Sequence, residues 1–214
     1  MRKFLEIGGL IAGAVLIIFG VAAIAMGVDG RSTVRDSLAS EQITGSDDMT
    51  PALIKEGATE AGLTVSALDI PTTAVAGKSI DTGEEARAFA QYLRIHALES
   101  SDGYVYAQMG RFATANGDPK GTSDEALALK SEDGKPVANA ARNTWVTATA
   151  LSTALNMSYM AEQMALFGIV IGVALLLAGI GFIILAIGGT LRNPEPAFSL
   201  SFGRKSKGTA VGAA

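Results

Sequence analysis

The sequence predicts a mainly α-helical protein in which two transmembrane helices flank a small, mostly helical extracytoplasmic domain. Residues 7–28 and 165–191 contain no charged side chain, and each run is longer than the roughly 20 residues that an α-helix needs to cross a bilayer. The 214-residue chain has 21 acidic and 17 basic residues, with basic ends and an acidic middle. It has no cysteine, so packing or partner chains must hold an outer domain together without disulfides.

The first apolar run is predicted to be an uncleaved anchor, transmembrane helix 1 over residues 7–28. The basic start at Arg2 and Lys3, and the small residues Ala23 and Ala25, would also suit a secretory signal peptide. The hydrophobic part of a signal peptide is only about 7–15 residues long. The length of this run therefore favours the anchor over the signal peptide.

The segment between the two apolar runs, residues 29–163, is predicted to form the outer domain. Val34 and Leu38 are spaced to share one helical face, so the first helix should continue beyond the membrane. Thr50 followed by Pro51 marks the start of a second helix, because threonine is a good N-cap and proline is tolerated at the first helical position.

A third helix is predicted after the sequence TGEE at Thr82–Glu85, which has the pattern of a capping box. Residues 113–135 are rich in turn-forming and acidic side chains and should form a surface loop with one short helical turn. No proline and no loop cluster interrupt residues 137–191. A single long helix is therefore expected, continuous through the membrane, with transmembrane helix 2 at residues 164–191.

Basic residues next to membrane spans predict the orientation, since Lys and Arg remain on the cytoplasmic side. Residues 1–6 and the tail 192–214 are therefore expected in the cytoplasm, and residues 29–163 outside, as an acidic extracytoplasmic domain. Only Glu6 and Glu195 oppose the basic residues of the two ends, which are Arg2, Lys3, Arg192, Arg204, Lys205 and Lys207.

The chemistry-bearing residues are too few to predict a catalytic site, a cofactor site or a metal site. His96 is the single histidine and there is no cysteine, whereas zinc and non-haem iron sites need clustered ligands. His96, Tyr104 and Tyr106 form a candidate pocket or a structural polar cluster. Of these two alternatives the structural one is favoured, with the side chains fixing a helix end by hydrogen bonds to loop groups.

Small residues in the two apolar runs predict helix packing. Gly9 with Gly13, and Gly168 with Gly172, each place two glycines on one helix face, which allows close backbone approach. No heptad run of four or more is evident. Neither run carries an ionisable residue at its centre, which argues against an ion or proton pathway.

Residues 143–164 contain a single charge, Glu162, although they are expected to lie outside the membrane. A helix with so little charge should be buried on several sides. Its large apolar residues are therefore a candidate assembly surface, to be covered by the outer domain or by neighbouring chains: Trp145, Leu151, Leu155 and Met160.

Three stretches carry a resemblance to a known family: residues 80–112, residues 116–126 (NGDPKGTSDEA) and residues 141–182, which begin ARNTWVTATALSTALNMSYMAEQM. Over about residues 4–190 the chain resembles a family of uncharacterised actinobacterial two-span membrane proteins, whose members often carry the label aromatic ring-opening dioxygenase. The resemblance implies a two-span topology and a membrane location, but no activity. Such a dioxygenase holds its iron with two histidines and a carboxylate, and one histidine does not suffice.

These observations predict a non-enzymatic integral membrane protein, an assembly or accessory component of the cell envelope. Its expected partners are the lipid bilayer and either copies of itself or other membrane proteins, with no nucleic acid and no identified small-molecule substrate. An extracytoplasmic ligand-binding or sensing module, with a pocket near His96, is the alternative.

Overall fold

The computed structural model describes residues 2–188, with side chains described from residue 4 onward. Over these residues the regular structure consists of α-helices and short 3-10 turns, with isolated β-bridges but no β-strand. The mainly α-helical fold class is therefore confirmed. The helices are α1 (Arg2–Ser40), α2 (Pro51–Glu60), α3 (Gly83–Glu99) and α4 (Ala140–Ile187), and the 3-10 turns are Val65–Ala67 and Tyr106–Gln108.

The helices α1 and α4 are long and apolar enough to cross a membrane. They contain 39 and 48 residues, and α4 has no break, as predicted. In their most apolar stretches only 11% and 17% of the residues are buried, whereas the core helix of a water-soluble protein would be mostly buried. The predicted end of the second span at Leu191 and the tail 192–214 lie outside the described residues.

Contacts divide the described residues into two compact units, one formed by residues 2–20 with residues 174–188 and the other by Val21–Val173. In the first unit, α1 and α4 approach each other at two glycines. A Cβ built on Gly13 would lie 2.8 Å from the carbonyl oxygen of Gly179, and a Cβ on Gly179 would lie 2.7 Å from that of Gly13. Because real Cβ atoms do not approach so closely, only glycine fits these two positions without a shift.

The second unit contains the main hydrophobic core. The C-terminal part of α1 contributes Val34 and Leu38 to it, as their spacing predicts. The helix α3 is buried on more than one face, because its fully buried Tyr92 and Ile95 pack in the core together with Phe89 on another face. The other large core residues come from α2, from the loops and from α4: Met49, Ile54, Val75, Ile80 and Leu155.

Both predicted helix starts in this unit are present. The Thr50 hydroxyl oxygen accepts a hydrogen bond from the Leu53 amide at 3.3 Å. The capping box of α3 is complete, since the Thr82 hydroxyl oxygen accepts from the Glu85 amide at 3.3 Å and the Glu85 carboxylate accepts from the Thr82 amide at 3.1 Å. Each cap satisfies backbone donors that the first helical turn leaves without partners.

The predicted surface loop at residues 113–135 contains turns and bends without a helix. It is held by isolated bridges, in which Phe112 pairs with Thr122 and with Ala138. A small second core lies beside it, where Ala97 of α3 packs against Trp145 of α4. The loop is thus fastened to the residues that precede α4, where the Asn139 side chain also donates a hydrogen bond to the Pro119 carbonyl oxygen at 2.9 Å.

Candidate functional site

His96 lies near the C-terminal end of α3 and contacts the loop that precedes α2. Its Nε2 is 3.1 Å from Oδ2 of Asp48. Asp48 also accepts a hydrogen bond from the Ser46 hydroxyl at 2.5 Å. This hydrogen bond is the main reason why the pKa of Asp48 is lowered; burial opposes it, and the charge of His96 adds to it. The contact ties the loop to α3.

Glu99 is the third ionisable group at this end of α3. Its Oε1 is buried and has no hydrogen-bond partner among the described residues. Burial raises the pKa of Glu99, His96 opposes the rise and Asp48 adds to it. Within residues 2–188, no group of three or more His, Asp or Glu side chains is arranged to hold a metal ion. The three residues are therefore best described as a charge cluster between α3 and the loop.

Tyr104 and Tyr106 have partners other than His96. The Tyr106 hydroxyl accepts a hydrogen bond from Arg142 of α4, whose guanidinium lies 4.0 Å from the centre of the Tyr106 ring. Tyr104 packs against the small second core that contains Trp145. The three residues that the sequence groups together thus have separate partners, and the two tyrosines lie towards α4.

Glu162 is the centre of an ionic cluster that joins three helices, and it is not among the site residues predicted from the sequence. Its Oε1 accepts hydrogen bonds from Nε of Arg31 at 2.8 Å and from Nε of Arg35 at 3.2 Å. Its Oε2 accepts from the Gly83 amide at 2.6 Å. Glu162 therefore binds two side chains of α1 and the positive end of the α3 helix dipole.

The close approach at Gly83 explains why α3 begins with glycine. A Cβ on Gly83 would lie 2.8 Å from Oε2 of Glu162 and 2.9 Å from Cα of Tyr159. A sequence signal for this cluster exists: Glu162 is one charge in an otherwise uncharged segment, and a buried charge needs a partner. Arg31 and Arg35, four residues apart on one face of α1, are suitable partners.

A groove of about 740 Å³ lies between α3 and the N-terminal half of α4. Arg87 and Arg94 of α3 line it, and so do Met157 and Met160 of α4. A second groove of about 500 Å³ shares Arg87 and Tyr159 with the first. His96 lines neither groove, so the candidate pocket near His96 is not where these cavities lie.

The four residues of the candidate assembly surface do not lie on one surface. Trp145 is 6% exposed and Leu155 is 2% exposed, because the chain's own two cores cover them. Leu151 and Met160 are exposed, but nine residues of an α-helix turn through about 900°, which places them on opposite faces of α4. The prediction is corrected accordingly: Trp145 and Leu155 are core residues.

The predicted packing glycines differ in how closely they are approached. Gly13 lies in the tight contact described above, and Gly172 is buried. Gly9 is half-buried, and a Cβ on Gly168 would meet its nearest neighbour at an ordinary distance of 3.8 Å. Gly27, which is not among the predicted residues, is approached more closely, since its Cβ would lie 2.6 Å from a backbone oxygen of α4.

Comparison of the chain with protein-family models, with curated proteins and with solved structures finds no match.

Proposed function

We propose that the chain is a non-enzymatic integral membrane protein that holds a small helical domain at the outer face of the cell membrane. Its role in this proposal is that of a scaffold or accessory component of the cell envelope, and its family is that of the two-span actinobacterial membrane proteins. The length, apolar composition and exposure of α1 and α4 support membrane insertion. The basic ends support cytoplasmic termini.

The observation that carries the proposal is the way in which both long helices continue from their apolar stretches into the outer domain. Arg31 and Arg35 follow the first apolar run closely, and Glu162 precedes the second one by a few residues. These three side chains form the ionic cluster that also holds the start of α3. Such a cluster fixes a domain on its supporting helices, which suits a platform for assembly better than it suits a mobile lid.

Assembly is proposed to use the face of α4 that carries Leu151. This side chain is exposed, and beside it a groove of about 260 Å³ lies between α4 and the end of α1. Glu41 and Ser158 also line this groove, so it combines apolar and polar groups, as protein interfaces do. The expected partner is a copy of this chain or another membrane protein.

The alternative function, a ligand-binding or sensing module near His96, has less support. His96 is engaged by Asp48 and lines neither groove beside α3.

Native mass measurement of the full chain in lipid nanodiscs tests the assembly proposal. A multimer or a stoichiometric co-purifying protein is expected, and a photo-crosslinking amino acid at Leu151 should join the chain to it. The matched control is the same amino acid at Leu127, an exposed leucine in the surface loop. A monomer without a partner, or equal cross-linking at both positions, would contradict the proposal.

The orientation is tested separately with reporter fusions. A reporter that is active only outside the cytoplasm should work when it is inserted near Lys120 and should fail when it follows Ala214. The reverse pattern would show that the basic ends lie outside.

A further inference from the structure

The groove between α3 and α4 contains two arginines whose guanidinium groups lie against aromatic rings. The Arg87 guanidinium is 4.9 Å from the centre of the Tyr159 ring, and that of Arg94 is 5.0 Å from the Trp145 ring. Within the part of the chain that the structure describes, the ion pairs involve other arginines and His96. Because a guanidinium has five N–H donors, both arginines retain donors for an anion in the groove.

Arg87 lies at the outer edge of the lipid headgroups, within reach of their phosphates, if α4 enters the hydrocarbon at the predicted residue 164. Tyr159 precedes that residue by five positions, which is about 7.5 Å along a helix that rises 1.5 Å per residue. The headgroup layer on each side of the hydrocarbon is about 5–7 Å deep. Arg94 lies farther from the membrane, because Trp145 is fourteen positions before Tyr159 on α4.

An apolar strip on α4 connects the groove with the predicted span. Its residues follow one another at intervals of three or four, so they lie on one face of the helix. Met157 and Met160 line the groove, and the strip continues below them into the apolar run. Its members and their exposed fractions are Met157 57%, Met160 55%, Met164 68%, Phe167 66% and Ile171 40%.

The two arginines of α3 outnumber the acidic side chains of the groove, which leaves it with an excess of positive charge. Asp69 lines the groove together with Arg87 and Arg94, and its carboxylate accepts a hydrogen bond from Nε2 of Gln91 at 2.6 Å. Glu84 lines the adjoining groove only. A negatively charged headgroup is therefore favoured over a neutral one.

We propose that this groove binds an anionic phospholipid of the outer leaflet, with its phosphate at Arg87 and one acyl chain along Met160 and Met164. The guanidinium supplies charge-assisted hydrogen bonds to the phosphate oxygens, and the methionines adapt to an irregular acyl chain. This inference rests on the membrane placement proposed above and does not require self-assembly.

The test is native mass spectrometry of the full chain after its membrane insertion has been verified by resistance to alkaline carbonate. The probes are phosphatidylglycerol, phosphatidylcholine and soluble glycerol phosphate. One retained phosphatidylglycerol is expected, with weak retention of phosphatidylcholine and none of glycerol phosphate. Arg87→Gln should weaken retention at least about tenfold, since it removes charge-assisted hydrogen bonds.

The matched control is Arg111→Gln. The Arg111 guanidinium also lies on an aromatic ring, 5.3 Å from the centre of the Phe112 ring, but Arg111 does not line the groove. Its lipid retention should equal that of the unaltered chain. A phosphatidylglycerol with a photoreactive acyl chain gives an independent measurement on the unaltered chain, and its cross-links should map to the peptide that contains Met160 and Met164.

The lipid site would be overturned by any of the following outcomes: equal retention of the two lipids, unchanged retention in Arg87→Gln, retention of glycerol phosphate as firm as that of the lipid, or acyl-chain cross-links that map outside the peptide that contains Met160 and Met164. A chain that carbonate extracts would overturn the proposed function as well. An inserted chain that retains no lipid would overturn the lipid site alone.

Discussion

A single methyl group added at Gly13 tests the contact between α1 and α4. In Gly13→Ala the new Cβ would lie 2.7 Å from Cγ1 of Ile183 and 2.8 Å from the carbonyl oxygen of Gly179. The isoleucine side chain can rotate away. A backbone oxygen inside a helix can move only if the helix moves, so the substitution should push the two helices apart.

The expected cost follows from that displacement. To bring the new Cβ and the Gly179 carbonyl oxygen to an ordinary separation of about 3.5 Å, the two helices must move apart by about 0.7 Å. A gap of this size forfeits roughly a quarter to a half of the dispersion energy between atoms in contact across the two helices. If about 20 such atom pairs contribute about 0.1–0.2 kcal/mol each, the loss is about 1 kcal/mol. With strain included, the free energy of unfolding should fall by about 1–3 kcal/mol, the usual range for overpacking.

The matched control is Gly181→Ala on the same stretch of α4, where no atom lies within 4 Å of an added Cβ. Alanine favours a helix over glycine by up to about 1 kcal/mol, and both variants share this gain. Their difference therefore isolates the packing cost. Because the chain has no cysteine, dyes on Phe4→Cys and Ile187→Cys can follow helix separation in detergent by energy transfer. Equal unfolding midpoints for the two alanine variants would refute the close contact.

Three further predictions concern the domain between the two apolar runs, whose unfolding the buried Trp145 reports by its fluorescence. Glu162→Gln should cost about 1–3 kcal/mol, because it removes a charged acceptor from three donors, whereas the exposed Glu125→Gln should leave the midpoint unchanged; equal effects would contradict the ionic cluster. His96→Gln should cost roughly 1 kcal/mol or less, as expected for a partly exposed ion pair, and leave insertion intact; loss of an activity without loss of folding would reveal a functional histidine. Glu99→Gln should stabilise the domain at neutral pH but not near the ordinary glutamate pKa of about 4.3. Because burial raises the pKa of Glu99 in the folded state, the contribution of Glu99 to stability is present below its unfolded-state pKa and is lost as pH rises through its folded-state pKa. A stabilisation by Glu99→Gln that persists in acid would contradict this.

Local signals explain which parts of the fold are predictable from the sequence. Thr50 and Thr82 act within one helical turn, so the caps that they form depend on a few neighbouring residues. The continuity of α4 is also a local property, because no proline or loop cluster interrupts it. Such features need no knowledge of the remainder of the chain.

The burial of Trp145 and Leu155 shows where local signals end. The low charge of residues 143–164 predicts a helix that is covered on several sides, but the described chain covers one face only. Trp145, Leu155 and Glu162 are buried on that face, and most other residues of the segment are exposed. Whether the chain itself or a second chain provides the cover depends on long-range contacts, which periodicity does not contain. The same limit applies to Glu162, whose partner Arg31 lies 131 positions away; a buried charge predicts that a partner exists but does not say which one.

The small residues of the two long helices contain a pattern that a search for large apolar heptads does not detect. Small residues recur at intervals of seven at buried or half-buried positions: Gly13, Gly20 and Gly27 on α1, and Ala165, Gly172, Gly179 and Ala186 on α4. In water, a heptad is marked by large apolar residues that escape the solvent. In lipid, large apolar residues gain little from facing inward, because the acyl chains are equally apolar, and close packing at small residues holds helices together instead. Helix contacts in a membrane are thus indicated by the positions at which side chains are small. The interval of seven predicts that Gly27 and Gly179 lie at the contact, whereas the predicted pairs of glycines four residues apart do not include them.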